Sequence, residues 1–240
     1  MSARRAVVIG SSGGIGAALV QHLEARPEVT KIYALSRAAK PSASSKIIPL
    51  PMDILDESQV QSAAAAIAAE GRPDLVILAT GVLSTDTTRP EKSYTQQTLE
   101  GFQRVFELNT FGPGLVAKHF LPLLPRQGRT VFAALSARVG SISDNRLGGW
   151  HAYRASKAAL NMLLRTYAIE QTRKNPDSLV VGLHPGTVDT ALSAPFQSGV
   201  PPHKLFTPQQ SAAYLVDVID RLTPEQTGAV YDWQGSEIPA

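Results

Sequence analysis

The residues with the clearest chemical potential are Tyr153 and Lys157, which stand four positions apart in the segment YRASK. A free tyrosine has a pKa of about 10, so a neutral-pH acid or base role requires a neighbour that favours the phenolate, and a lysine ammonium can provide this electrostatically. Residues four apart share one face of a helix. The pair fits a catalytic tyrosine tuned by a lysine, but the spacing alone fits equally well a packed tyrosine and a solvated lysine.

A second chemical feature is the glycine loop VVIGSSGGIGAALV, which places Gly10, Gly14 and Gly16 between an apolar run and a helical pattern. Such a loop allows a tight turn, lets backbone N–H groups approach a pyrophosphate, and directs the positive end of a helix dipole at that charge. The spacing is GxxxGxG, and no Lys-Ser/Thr pair follows, which disfavours a P-loop. The loop predicts a dinucleotide site; a glycine-rich turn without a ligand is the alternative.

The end of the second predicted strand discriminates between the two nicotinamide dinucleotides. A carboxylate there would bind the adenosine ribose 2′-hydroxyl, whereas an arginine can bind a 2′-phosphate. The segment LSRAAK places Ser36 and Arg37 at this point and contains no acid. The sequence therefore predicts NADP(H) rather than NAD(H), against the alternative that Arg37 is a solvated loop cation.

The elements that must position these residues alternate between strand and helix along the chain. Short apolar runs predict strands at residues 6–9, 31–35, 47–50, 75–79, 130–135, 179–183 and 229–232. Helical patterns cover residues 14–25, a segment capped by Asp56 and Gln59, residues 99–120, residues 150–173, and a last helix from Pro208. This alternation predicts an α/β fold: a doubly wound, mostly parallel sheet of about seven strands with helices on both faces. No repeat or linker divides residues 1–240, so one domain is expected.

Composition limits the other classes of function. The 240 residues are 43% apolar, carry a formal net charge of +3 and contain no cysteine, which excludes disulfides, thiolate catalysis and a Cys-based metal site. No basic run is interleaved with aromatics, and no His or carboxylate cluster is evident, so neither a nucleic-acid partner nor a metal is expected. No window reaches the roughly 18 apolar residues of a membrane span, and the apolar run ending at Gly10 is too short for a signal peptide. We expect a cytoplasmic protein.

Taken in order along the chain, these motifs resemble the short-chain dehydrogenase/reductase family of Rossmann-fold oxidoreductases. The resemblance covers nearly the whole length. The segment SARVGSISDNRLGGWHAYRASKAALN and the ending DWQGSEIP most resemble the C-factor-type and sniffer-type carbonyl-reductase branch. The resemblance implies hydride transfer between a nicotinamide cofactor and a carbonyl or alcohol substrate.

A catalytic tetrad follows from the same resemblance: Asn109 in FELNTFG, Ser136 in ALSARVG, Tyr153 and Lys157. Tyr153 would give a proton to the substrate carbonyl oxygen during reduction, and Lys157 would lower the pKa of Tyr153 and hold the nicotinamide ribose. Ser136 would hydrogen-bond the substrate oxygen. Asn109 would hold a water that links Lys157 to solvent.

The resemblance also implies a set of cofactor contacts along the glycine loop and at the ends of later strands. They are Gly10, Ser12, Gly14, Ile15, Gly16, Ser36, Arg37, Asp53, Ile54, Ala79, Thr80, Gly81, Tyr153, Lys157, Pro185, Gly186, Val188 and Thr190. The chain departs from the family where the fourth strand ends in LATG instead of NNAG. His151 and His184 receive no role, since structural or pocket-lining histidines are commoner than a second acid and base.

Two further expectations concern the substrate and the oligomeric state. Residues 187–207 are expected to form a substrate loop, and their apolar members favour a non-ionic carbonyl compound. The family resemblance also implies a homodimer or homotetramer. The alternative function is a cofactor-binding signalling or regulatory protein of C-factor type with little turnover, against which the intact tetrad argues.

Overall fold

The computed structural model describes residues 4–84 and 89–240 of the chain. Its strands are Arg4–Ile9 (β1), Val29–Ser36 (β2), Ile47–Pro51 (β3), Leu75–Leu78 (β4), Thr130–Leu135 (β5), Ser178–His184 (β6), Thr187–Val188 (β7), Leu205–Phe206 (β8), Val230–Asp232 (β9) and Glu237–Ile238 (β10). Its α-helices are Gly14–Glu24 (α1), Glu57–Glu70 (α2), Leu99–Phe106 (α3), Gly112–Phe120 (α4), His151–Thr172 (α5) and Pro208–Arg221 (α6).

Eight strands form one sheet in the order β3-β2-β1-β4-β5-β6-β9-β10, and all neighbours are parallel except β9 and β10. The order reverses direction at β1, which pairs with β2 on one side and β4 on the other. Ligands of doubly wound sheets bind at such a reversal, beyond the carboxyl ends of the strands. The predicted fold class is confirmed.

Two hydrophobic layers cover the sheet. Alternate strand residues such as Ala6 and Val8 pack with α1 and α6, while Val7 and Ile9 face the layer of α2, α4 and α5. Because both faces are covered, the strands are apolar at nearly every position, which is why their runs were visible in the sequence.

One edge of the sheet is formed by a strand that contains proline. Pro49 lies in β3, the edge strand, where a missing backbone N–H is tolerated.

Three strands were not predicted, β7, β8 and β10, because two residues are too few to show a periodicity. The strands β7 and β8 pair with each other, so they join the two ends of the predicted substrate loop. In the described part of the chain, no helix is long and apolar enough to cross a membrane.

Candidate active site

The glycine loop sits at the reversal of strand order. Gly10 has φ +88°, and a Cβ built on it would lie 2.7 Å from the Ala79 carbonyl oxygen. A Cβ on Gly16 would lie 2.1 Å from the Gly10 carbonyl oxygen. The Gly10 N–H donates to the Leu35 carbonyl, which ties the loop to β2. Only glycine fits these two positions, and the result is an open backbone cradle at the start of α1.

Three adjoining clefts follow the carboxyl ends of the strands. We call them the glycine-loop cleft, about 360 Å³, the central cleft, about 310 Å³, and the outer cleft, about 370 Å³. Thr80 lines the first two, and Ser136 and Tyr153 line the last two, so neighbouring clefts share walls.

Most of the predicted cofactor contacts line these clefts. The glycine-loop cleft contains Gly10, Ser12, Ser36, Arg37, Asp53, Ile54, Ala79, Thr80 and Gly81. The central cleft contains Gly14, Ile15, Ala79, Thr80, Gly81, Tyr153, Lys157, Pro185 and Thr190. Gly186 and Val188 line the outer cleft, beyond the central one, and Gly16 is buried beneath the loop.

Tyr153 stands between the central and outer clefts, in the first turn of α5. Burial raises the pKa of Tyr153 to about 12. The sequence predicts a lowered pKa, so the structure corrects its direction. Desolvation is the cause of the raised pKa, and the Lys157 ammonium lies 5.9 Å from the centroid of the tyrosine ring.

Lys157 lies one turn further along the same helix and is 3% exposed. Its ammonium donates to the Leu135 carbonyl oxygen at 2.9 Å. Burial lowers the pKa of Lys157 to about 8. A Cβ added to Gly81 would lie 3.4 Å from this ammonium, so glycine there keeps the space above Lys157 open.

Ser136 follows β5 and faces α5. Its hydroxyl donates to Asn161 Oδ1 at 2.6 Å. Asn161 was not predicted as a site residue, yet it continues the four-residue spacing of Tyr153 and Lys157 along α5. Helical spacing was therefore a signal that could have identified it. Asn161 fixes the Ser136 side chain when no substrate competes for the hydroxyl.

Asn109 lies in a π-helical turn, Glu107–Phe111, that interrupts the helix predicted over residues 99–120. It is fully buried and does not line any of the three clefts. Its amide exchanges two hydrogen bonds of 2.8 Å with the backbone of Val82 and donates to Ser156 Oγ at 3.1 Å. A Cβ on Gly81 would lie 3.4 Å from Asn109 Oδ1 as well as from Lys157 Nζ. Asn109 therefore supports the wall of the site from behind, near Lys157.

The start of α5 is held by a residue that the sequence did not reveal. Glu91 is 6% exposed, and its carboxylate accepts from the Ala152 N–H at 3.3 Å. Its carbonyl oxygen accepts from the Trp150 N–H at 2.5 Å. Trp150 has φ +53°, a left-handed conformation that is uncommon for a residue with a side chain. A buried carboxylate at the positive end of α5 stabilises the turn that carries Tyr153.

The outer cleft is lined by a group of aromatic rings and by polar side chains. The Trp150 ring lies 5.2 Å from the Phe196 ring and 6.2 Å from the Tyr153 ring, between centroids. Arg138 and His184 also line this cleft. Phe196 belongs to the segment between β7 and β8, so this predicted substrate loop contributes directly to the cleft.

Two cations lie at or beside the glycine-loop cleft. Arg37 lines it, and Lys40 lines an adjacent depression that shares Ser12 and Ser36 with it. Within residues 4–84 and 89–240, neither cation forms an ion pair. Lys40 was not predicted, because an exposed lysine in a loop carries no pattern.

The residues present fit a dinucleotide. Thr80 Oγ1 is buried and has no hydrogen-bond partner in the described part of the chain, although it stands where two clefts meet. A polar ligand lying across both clefts would satisfy it. The glycine cradle supplies N–H donors for phosphates, and the flanking cations suit a further phosphate. Among the described residues, no group of three His, Asp or Glu side chains could hold a metal.

Known proteins with similar sequences include dehydrogenases, other oxidoreductases and a signal protein. The family model described as short chain dehydrogenase matches residues 4–200. The 1-hydroxy-2-glutathionyl-2-methyl-3-butene dehydrogenase of Rhodococcus sp. (strain AD45) is 32% identical over 223 residues, which cover 92% of this chain and 93% of that protein. The C-signal of Myxococcus xanthus is 38% identical over 137 residues, 57% of this chain and 76% of that protein.

Solved structures agree on the fold. The NADPH bound carbonyl reductase from chicken fatty liver has a TM-score of 0.83 and 25% identity, with all of both chains covered. The carbonyl reductase Sniffer of D. melanogaster has a TM-score of 0.86 over all of both chains, at 22% identity.

Proposed function

We propose that this chain, which belongs to the short chain dehydrogenase family, is an NADPH-dependent carbonyl reductase with Tyr153 as its general acid. The observation that carries the proposal is that Ser136, Tyr153 and Lys157 line one cleft. That cleft adjoins the glycine-loop cleft and the outer cleft, with which it shares lining residues. Oxidation of NADPH in the presence of simple ketones and aldehydes, followed by absorbance, tests it.

The assignment of NADPH rests on how each part of the cofactor fits one of the clefts. The glycine-loop cleft would hold the adenosine half, with Arg37 and Lys40 near the 2′-phosphate, and the central cleft would hold the nicotinamide half. When bound, NADPH supplies the hydride. The similarity to an NADPH-bound carbonyl reductase supports this choice.

The protein's own part in the reaction is to hold the substrate and move a proton. The carbonyl group would lie in the outer cleft, where Ser136 and Tyr153 share the wall. Tyr153 would donate its proton to the carbonyl oxygen, which a tyrosine of raised pKa can do since it is protonated at neutral pH. The Lys157 ammonium would stabilise the phenolate left behind. The Ser136 hydroxyl would turn from Asn161 to the substrate oxygen.

Removing the Arg37 side chain is expected to weaken NADPH binding by about tenfold or more, because a charge-assisted hydrogen bond to phosphate is lost. NADH, which has no 2′-phosphate, is expected to lose less than about threefold. Titration of Arg37→Ala with both cofactors, followed by nicotinamide fluorescence, measures this. Arg104→Ala is the control: Arg104 lines the same cleft and pairs with Glu107, so the substitution should affect both cofactors alike. Tighter binding of NADH than of NADPH by the wild type would contradict the assignment of NADPH as the cofactor.

The rate of carbonyl reduction is expected to fall above about pH 8. Tyr153, with a pKa of about 12, keeps its proton through this range, whereas Lys157, with a pKa of about 8, loses its charge. Without that charge the tyrosine phenolate is less stable, and proton donation slows. Profiles of kcat from about pH 6 to about pH 10, at saturating NADPH, test this. Lys157→Arg keeps its charge and should move the decline upward; an unmoved decline would contradict the role of Lys157.

Several further assignments belong to the same proposal. Residues 187–207 would form a substrate loop within a single domain, and the apolar wall of the outer cleft would accept a non-ionic carbonyl compound. We also propose a homodimer or homotetramer and a cytoplasmic location.

A regulatory protein with little turnover is the second candidate. The identity to the C-signal of Myxococcus xanthus favours it. NADPH binding without turnover across a broad panel of carbonyl compounds and alcohols would support this candidate instead.

A further inference from the structure

His184 is a polar residue in the outer cleft to which the proposed reaction gives no task. It ends β6, and the ladder pairs Leu183 with Leu135, the residue before Ser136. The Ser136 N–H donates to the Leu183 carbonyl at 2.8 Å, which keeps the two strand ends aligned. His184 and Ser136 therefore follow in register on the same side of the sheet, one strand spacing apart, about 4.8 Å.

The imidazole of His184 is neutral and incompletely paired. Burial, with the charge of Arg138 as a smaller cause, lowers the pKa of His184 to about 4. Its Nδ1 is buried and has no hydrogen-bond partner among residues 4–84 and 89–240. An unpaired buried N–H is rarer than an unpaired acceptor, so the proton belongs on Nε2. Since Nδ1 is enclosed, Nε2 is the nitrogen that a molecule in the outer cleft can meet.

The charged side chains near His184 already form hydrogen bonds with other groups of the protein. Arg138 donates to Asp144 at 3.1 Å and to Asp232 at 3.3 Å. The other oxygen of the Asp232 carboxylate accepts from the N–H groups of Gln234 and Ser236. His184 therefore offers the cleft an uncharged donor, while Arg138 and Asp232 are paired with other groups of the protein.

We infer that His184 is a specificity residue that donates from Nε2 to a second, uncharged oxygen of the substrate, on the carbon next to the reacting carbonyl. The substrate class is then α-oxygenated ketones and aldehydes. Two oxygens on adjacent carbons can span one strand spacing when each lies at hydrogen-bond distance from its donor. One oxygen would accept from Ser136 and Tyr153, and the other would accept from His184. This inference rests on the proposed carbonyl reduction.

Two ketones that share a ring and a reacting carbonyl test the inference: α-hydroxyacetophenone and acetophenone. The ratio of their kcat/KM values is compared in the wild type, His184→Leu and His184→Gln. We expect the ratio to fall by about tenfold in His184→Leu, because the hydroxyl loses its donor. In His184→Gln, whose amide nitrogen can donate, it should stay within about threefold of the wild type.

Val139→Ala is the matched control, since Val139 lines the same cleft without a side-chain donor. It should lower kcat/KM for both ketones alike. NADPH affinity and the thermal unfolding midpoint show whether each variant is folded. An unchanged ratio in folded His184→Leu overturns the inference and leaves the reductase proposal intact. A wild type that binds NADPH and reduces no carbonyl compound overturns both.

A second measurement needs no variant. Phenylethanediol and phenylethanol are compared as inhibitors of the wild type that compete with the ketone. The diol is expected to bind about tenfold more tightly through its second hydroxyl. Equal inhibition by the two alcohols would overturn the inference even if His184→Leu does not fold.

Discussion

Replacing Tyr153 with phenylalanine is expected to lower kcat for carbonyl reduction by roughly a hundredfold to ten-thousandfold, the usual contribution of a positioned general acid. The substitution removes only the hydroxyl, so the ring keeps its contact with Trp150. NADPH affinity should change little. Stopped-flow measurement of NADPH oxidation, with a separate titration of NADPH binding, distinguishes loss of proton transfer from loss of the cofactor.

Tyr167→Phe is the matched control for this experiment. Tyr167 lies on the same helix, α5, but borders none of the three clefts. Its substitution should leave kcat unchanged. If Tyr153→Phe retained wild-type turnover, another group would have to supply the proton and the proposed mechanism would be wrong.

Replacing Ser136 with alanine is expected to lower kcat by roughly a hundredfold to a thousandfold, as loss of a hydrogen-bond donor to developing charge typically does. The substitution also leaves Asn161 Oδ1 without its 2.6 Å partner, so a small loss of stability should accompany it. Single-turnover rates and a thermal melt measure the two effects separately. Ser136→Thr, which keeps the hydroxyl, should recover part of the rate.

The control for Ser136→Ala is Ser178→Ala. Ser178 is also buried and hydrogen-bonded, but it starts β6 at the opposite, amino end of the sheet, where it accepts from Thr130. Its loss should affect stability without affecting kcat. Equal loss of kcat in both variants would show that Ser136 acts only through folding.

The parts of the fold that could be predicted from the sequence are those in which burial or helix capping requires particular residue types close together along the chain. Strands covered on both faces must be apolar throughout, and the helix caps must supply acceptors: Asp56 accepts from the N–H groups of Ser58 and Gln59, as predicted. The reciprocal bond differs, because Gln59 Oε1 accepts from the Asp53 N–H, on the wall of the glycine-loop cleft, rather than from Asp56. Two-residue strands and a π-helical turn depend on tertiary contacts, which leave no local pattern in the sequence.

The residues of the candidate site could be predicted where they follow a motif and not where they come together only in the folded chain. Ser136, Tyr153 and Lys157 each belong to a motif, and they line one cleft. Glu91 reaches the start of α5 from a distant loop, and its neighbours in sequence reveal nothing of this. The raised pKa of Tyr153 was missed for a related reason: burial depends on the packed fold, while the sequence shows only the nearby lysine.

The most direct test of the proposed activity is to follow a label from cofactor to product. The enzyme is supplied with NADPH carrying deuterium at the transferring position and with α-hydroxyacetophenone or another ketone that it turns over, and the alcohol is analysed by mass spectrometry. Direct hydride transfer predicts one deuterium on the former carbonyl carbon of each product molecule. Tight NADPH binding with no labelled alcohol from any ketone or aldehyde supplied would contradict the account and favour a regulatory protein.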